Sequence, residues 1–169
     1  MIDLETLDVT PAATILTIGA QGFDPFSNAL SDVTYYKRIT LESQEGRTID
    51  DGTVEWWGRQ STEAQEEAFG ESDRIDLKVA LQDIAKIAWK HKRIWANGTM
   101  FDIGILEHAM AQTGVNVPWK YWQVMDARTI YKVCPSAGKL GNNHNALADC
   151  VNQIDLLQRT FKILGVTEF

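Results

Sequence analysis

Hydrophobic positions change their spacing along this chain. Over the first forty residues they fall in short runs rich in β-branched and aromatic side chains. These runs cover residues 1–4, 14–23 (Ile15, Leu16, Ile18 and Phe23) and 33–41, and they predict three strands in an antiparallel meander. Residues 42–52 are polar, carry Gly46 and Gly52, and read as a loop. One or two short helices are expected over 53–69. An amphipathic helix is expected over 73–92, where Ile75, Val79, Ile84, Ile87 and Ala88 recur near helical spacing. A short apolar run at 93–96 predicts a buried strand, broken by Asn97-Gly98. A helical pattern resumes over 101–112. Residues 121–125 predict a last strand, 126–133 a helix and 135–143 a Gly- and Asn-rich loop. The long helix at 146–164 has Leu147, Val151, Ile154, Leu157 and Phe161 as its apolar face and Asn145 as its N-cap.

The order is three strands, helix, strand, helix, strand, helix. It predicts an α/β fold with a mixed five-stranded sheet, three antiparallel N-terminal strands and then two parallel ones, flanked by helices. The 169 residues fit a single domain spanning 1–169. Composition narrows the function classes. No apolar run approaches the ~20 residues that span a membrane, and Met1 to Glu5 holds two acids, unlike a secretory leader. Cys134 and Cys150 have no metal-type spacing and read as reduced thiols of a cytoplasmic protein. The net charge of −7 argues against a protein that coats duplex nucleic acid through a basic surface. Cations are unevenly spread, however. Lys86, Lys90, His91, Lys92 and Arg93 form a run that either steers a polyanion or is the solvated end of a helix.

Three places put acids where folding does not call for them. In a strand, Asp3 and Glu5 share one face while Leu4 turns to the other. Two carboxylates side by side repel, and a cation would remove that cost. Asp102 follows the Asn97-Gly98 break and sits among Met100, Phe101, Ile103 and Ile105, where an acid needs a partner. It is also placed as an ordinary helix N-terminal acid. His144 precedes the last helix, and Asp149 lies in its first turns between Leu147 and Val151. Each feature alone is weak. Together they suit one site, because a single sheet can bring a first-strand pair, an acid after a later strand and an acid on the last helix to one point. Four converging carboxylates demand divalent cations, and oxygen-only ligands suit Mg²⁺ or Mn²⁺ rather than zinc.

These residues resemble the motifs of the DEDD exonucleases with a catalytic histidine, members of the ribonuclease H-like superfamily. Asp3-Leu4-Glu5-Thr6 looks like the first motif. Asn97 to Asp102, with the run Phe101-Asp102-Ile103-Gly104-Ile105-Leu106, looks like the second. His144 to Asp149 looks like the third. Cys150 departs from the small alanine commoner there. Within the family, 49–60 and Asp126-Ala127-Arg128-Thr129 are similar to the bacteriophage exonuclease A and bacterial 3′→5′ exoribonuclease-like group.

The resemblance implies a 3′→5′ exonuclease acting on single-stranded DNA or RNA ends, with DNA favoured, and releasing nucleoside 5′-monophosphates. It implies two divalent cations, Mg²⁺ or Mn²⁺, held by Asp3, Glu5, Asp102 and Asp149. His144 would be the general base, since an imidazole titrates at ~6.5 and accepts protons near neutral pH. Substrate contacts would come from the backbone at Leu4 and Thr6, from Leu7 against the last base, and from Asn97, Phe101 and Trp57. A cytoplasmic location (the host's, if phage-encoded) and a homodimer are the associated expectations. Trp56 and Trp57 are adjacent, so one is expected inward and the other in the groove. Trp89, Trp95 and Trp122 read as core, and His108 as a residue at the site's edge. Arg59, Gln60 and Arg128 are candidate phosphate contacts. Two other classes stay open: an endonuclease of ribonuclease H type, which would cut circular or 3′-blocked strands, and a silent nucleic-acid-binding module, which would not bind the cations.

Overall fold

The computed structural model describes residues 1–141 and 144–169. Its chain order follows the predicted one closely. Strands β1 (Ile2–Thr6), β2 (Ile15–Phe23) and β3 (Leu30–Ile39) form the antiparallel meander. Two short helices follow, α1 (Asp51–Trp57) and α2 (Thr62–Phe69), capped by the side chains of Asp50 and Ser61. Then come β4 (Arg74–Ile75), α3 (Leu77–Ala88), β5 (Ile94–Ala96), α4 (Thr99–Thr113), β6 (Val124–Asp126) and α5 (Ala127–Val133). The chain closes with α6 (Ala146–Leu164). Asn145 caps α6, its side chain accepting from the Ala148 N–H at 2.9 Å.

The five-stranded sheet is corrected. The structure has a four-stranded sheet in the order β1-β2-β3-β4 and a separate two-stranded parallel sheet, β5-β6. The fourth strand of the main sheet comes from a segment whose periodicity reads as helix. Asp76 explains the difference: its carboxylate accepts from the N–H groups of Lys78 and Val79, so α3 begins only after it. Arg74 and Ile75 are left extended and pair with β3 in parallel. Strand β5 packs beside β1, with Ile94 and Ala96 in the same apolar cluster as Ile2 and Leu4, yet no ladder joins them. The Leu4 N–H donates instead to the carboxylate of Asp102.

Helices cover both faces. The first core cluster gathers Ile2, Leu4 and Ile18 with residues of α3 and α4. The second gathers Met1 and Trp95 with Ala127 of α5 and Cys150, Ile154, Leu157 and Phe161 of α6. Burying ~1.5–3 kcal/mol worth of apolar surface per large side chain is what holds these layers on the sheet. In α3 the buried face is Leu77, Ala80, Leu81, Ile84 and Ala88, while Val79 faces outward. Two tryptophans also depart from expectation. Trp95 is buried, but Trp89 is 77% and Trp122 59% exposed. Trp89 stands just past the last buried residue of α3, and Trp122 lies in a 3₁₀ turn (Tyr121–Gln123) where a strand was expected. Cys134 and Cys150 are free thiols, both buried. Among the described residues, no helix is long and apolar enough to cross a membrane.

Candidate active site

Alternation along β1 sorts its residues between two layers. Leu4 enters the cluster under α3 and α4, so Asp3 and Glu5 face the α6 side. Helix α6 reaches them because Gly19, the cross-strand partner of Asp3, has no side chain. A Cβ there would stand 2.3 Å from the Ala146 carbonyl carbon and 2.5 Å from the Leu147 nitrogen. The first turn of α6 therefore lies directly on β2, and it carries Asp149. Ligand oxygens of Asp3, Glu5 and Asp149 lie within 4.8 Å of one another. Asp102 arrives from the opposite layer, in the first turn of α4 after Gly98 at φ 105°. Its buried carboxylate holds the Leu4 N–H at 3.1 Å and lines the same cavity as the other three acids.

Burial dominates the electrostatics. It pushes the Glu5 carboxyl up to about 9, with the neighbouring charges of Asp3 and Asp149 adding to the rise. Asp3 is raised to about 7, chiefly by burial, against the lowering effect of its hydrogen bond from Gln153. Asp102 is raised well above the usual carboxylate range by burial and then by Asp3. Acids this close and this dry need protons or a cation to neutralise them. The donors are carboxylate oxygens alone, the set that hard divalent cations take, so these residues fit Mg²⁺ or Mn²⁺.

The acids open into a cavity of about 600 Å³. His144 lines it, at φ 51° just ahead of the α6 cap. Its ring packs edge-on against Trp56 and Trp57, with centroids at 4.9 and 6.0 Å. Both tryptophans line the cavity, Trp57 as the inward ring and Trp56 as the exposed one. Trp57 is 2% exposed and its indole N–H donates to the Thr6 carbonyl at 2.9 Å, whereas Trp56 is 40% exposed. Leu4 and Thr6 also line the cavity; the Leu4 N–H is engaged by Asp102, while the Thr6 carbonyl keeps a second lone pair beside its bond from Trp57. Leu7 sits in a core cluster with Leu16 and Trp57, and Val9 takes its place at the cavity wall. Asn97 and Phe101 line the cavity, as does Arg128, which donates to the Asn97 carbonyl at 2.8 Å. Arg59 pairs with Glu55 on the surface and Gln60 bonds the Trp56 carbonyl. His108 lies away from the site, beside Arg47.

Gln153 is a site residue that the motifs do not point to. It is buried and donates to Asp3 at 2.6 Å. The signal in the sequence is its place one turn after Asp149, a polar residue on a face otherwise filled by Cys150, Ile154 and Leu157.

Comparisons with known proteins show the family and the fold. The chain is 25% identical, over 201 aligned residues, to an exodeoxyribonuclease of Enterobacteria phage T4, covering 94% of this chain and 86% of that protein. The solved structure of cell-death related nuclease 4 (CRN-4) shares the fold. Its TM-score is 0.62 at 14% identity, and the likeness covers 98% of this chain but only 64% of that one. Residues 1–161 match the family described as the 3′-5′ exoribonuclease Rv2179c-like domain. The chain belongs to that family, and is a 3′-5′ exonuclease of the ribonuclease H-like type.

Proposed function

We propose that this exonuclease removes nucleotides from the 3′ end of single-stranded nucleic acid, with DNA favoured, and releases nucleoside 5′-monophosphates. The observation that carries the reading is the group of Asp3, Glu5 and Asp149, their oxygens within 4.8 Å at the floor of an open cavity. Asp3, Glu5, Asp149 and Asp102 hold two divalent cations, Mg²⁺ or Mn²⁺. Bound there, the cations supply Lewis acidity toward the phosphoryl and leaving oxygens.

The side chains around them do the rest. Gln153 fixes the carboxylate of Asp3 through its 2.6 Å hydrogen bond. Asp102 ties the first turn of α4 to β1 through the Leu4 N–H. His144 accepts the proton of the attacking water at an imidazole nitrogen, its ring steadied by Trp56 and Trp57. Water oxygen bonds to phosphorus, and the bond from phosphorus to the 3′ oxygen of the penultimate nucleotide breaks. The departing 3′ oxygen takes a proton from solvent, so the shortened strand leaves with a 3′-hydroxyl, and the released nucleotide keeps the phosphate. Trp56, exposed at the cavity wall, offers its ring to the last base.

The DNA preference rests on the likeness to the phage exodeoxyribonuclease. A second reading, degradation of RNA ends, is favoured by the description of the family itself. Matched DNA and RNA oligomers, each with free and blocked 3′ ends, separate the two in the presence of Mg²⁺ or Mn²⁺. Stepwise shortening from free 3′ ends is expected, faster on DNA. Cutting of circular or blocked strands would sink the exonuclease reading, and faster degradation of RNA would select the second.

A further inference from the structure

The basic run at 86–93 has no part in the site above, yet the fold gives it company. Strands β5 and β6 are parallel and in register, Ile94 opposite Val124 and Ala96 opposite Asp126. Their leading ends therefore lie side by side, and so do the segments that enter them. Gln123 closes the junction: its side-chain amide donates to the Lys92 carbonyl at 3.2 Å, and its side-chain carbonyl accepts from the Lys120 N–H at 2.9 Å. This end of the strand pair collects the exposed cations Lys90, Lys92 and Lys120. It also presents Trp89 and Trp122, with Tyr121 stacked edge-on against Trp122 at 5.0 Å and 86% exposed. The other end of the same strands leads to Asn97 and Arg128 at the wall of the catalytic cavity. Three residues of strand span about 10 Å.

We propose that this aromatic and basic patch is a second binding surface for the single-stranded substrate, holding the strand upstream of the 3′ nucleotide in the cavity. The inference rests on the exonuclease reading for the identity of the strand. Three exposed rings within two short segments offer the faces on which bases stack without regard to sequence. Among the described residues, none of the ion pairs includes Lys90, Lys92 or Lys120, so these cations are free to meet phosphates. The net charge of −7 repels a polyanion elsewhere on the molecule. A local positive patch with aromatic interleaving is where such a strand is held. The charge also distinguishes this occupant from a second copy of the chain, whose acidic surface carries no repeating phosphate array for stacked rings to follow.

Two variants test the proposal: one with Trp89→Ala, Tyr121→Ala and Trp122→Ala, the other with Lys90→Glu and Lys92→Glu. All five side chains are exposed, so the fold should persist. Anisotropy of a labelled 12-mer carrying a 3′-phosphate block reads binding without turnover. The aromatic variant should bind about 5-fold more weakly per stacked ring removed. The charge variant should flatten the dependence of log affinity on log salt by about 0.7 for each phosphate that is no longer neutralised. In turnover, KM for an unblocked 12-mer should rise at least 10-fold while hydrolysis of a dinucleotide stays unchanged. If wild type degrades no strand, the exonuclease reading fails, and the anisotropy titration still decides the patch. Variants that bind the 12-mer like wild type would overturn the proposal. So would variants that change only the oligomeric mass in light scattering, which would assign the patch to self-association.

Discussion

Gly19→Ala tests how the site is assembled without touching a proposed ligand. The new Cβ would sit 2.3 Å from the Ala146 carbonyl carbon and 2.5 Å from its oxygen, where ordinary contact begins at 3.4 Å. These neighbours are backbone atoms, so no side-chain rotation relieves the clash. The first turn of α6 must retreat by about 1 Å from β2. Asp149 lies in that turn and moves with it, away from Asp3, the strand partner of Gly19. A displacement of ~1 Å at a reacting centre costs on the order of 10²-fold in rate. Overpacking of this kind costs ~1–3 kcal/mol in stability. The expected result is a ~100-fold fall in kcat, weaker Mn²⁺ binding by calorimetry and a helical circular dichroism spectrum that survives. Gly104→Ala is the control, since a Cβ there meets nothing within 4 Å, and it should be neutral or stabilising by ~0.5–1 kcal/mol. Wild-type kcat and metal affinity in Gly19→Ala would refute the idea that close approach of α6 builds the site.

Other outcomes follow from the same geometry. Asp3→Ala should abolish 3′-end degradation and leave the fold intact, and normal turnover in that variant would remove Asp3 from the chemistry. His144→Ala should lower kcat strongly while sparing Mn²⁺ binding, and a pH–rate profile identical to wild type would deny it the base role. Saturating Mn²⁺ at ~100 times its Kd should raise stability by ~2.7 kcal/mol in a thermal melt. Asp149→Asn should forfeit most of that gain; a full gain would place the ion elsewhere. Asp8 is held below its usual pKa, mainly by the Thr48 hydroxyl and also by the Val9 and Thr10 donors. Its folded value is depressed, so its contribution is complete above the unfolded value of ~3.9 and fades as pH falls through the folded one. Denaturation midpoints of Asp8→Ala should therefore fall less steeply than those of wild type below pH 4, and parallel curves would contradict this.

Legibility followed the range of the interactions. Helix α6 occupies the residues its periodicity predicted, with the Asn145 cap in place, because a helix and its cap are made from contacts within four residues. The shared face of Asp3 and Glu5 was readable for the same reason, since alternation is a property of the strand itself. The chain alone also named the acids that meet: Asp3, Glu5 and Asp149 came from positions 146 residues apart at their widest.

What tertiary structure decided were matters of partner and phase. The Leu4 N–H goes to Asp102 rather than to β5, and Asp76 delays α3 so that β4 joins the main sheet, neither visible in a hydropathy pattern. Trp89 and Trp122 read as core because they stand in apolar strings, but they lie beyond the elements that carry those strings inward. Leu7 packs into the core while Val9 lines the cavity, and Trp57 lines it buried where Trp56 lines it exposed, because the position of α1 against β1 selects the face. Gln153 meets Asp3 only because α6 lies on β2, and it lies there because position 19 has no side chain. Periodicity sets which residues share a face; only long-range packing sets what that face meets.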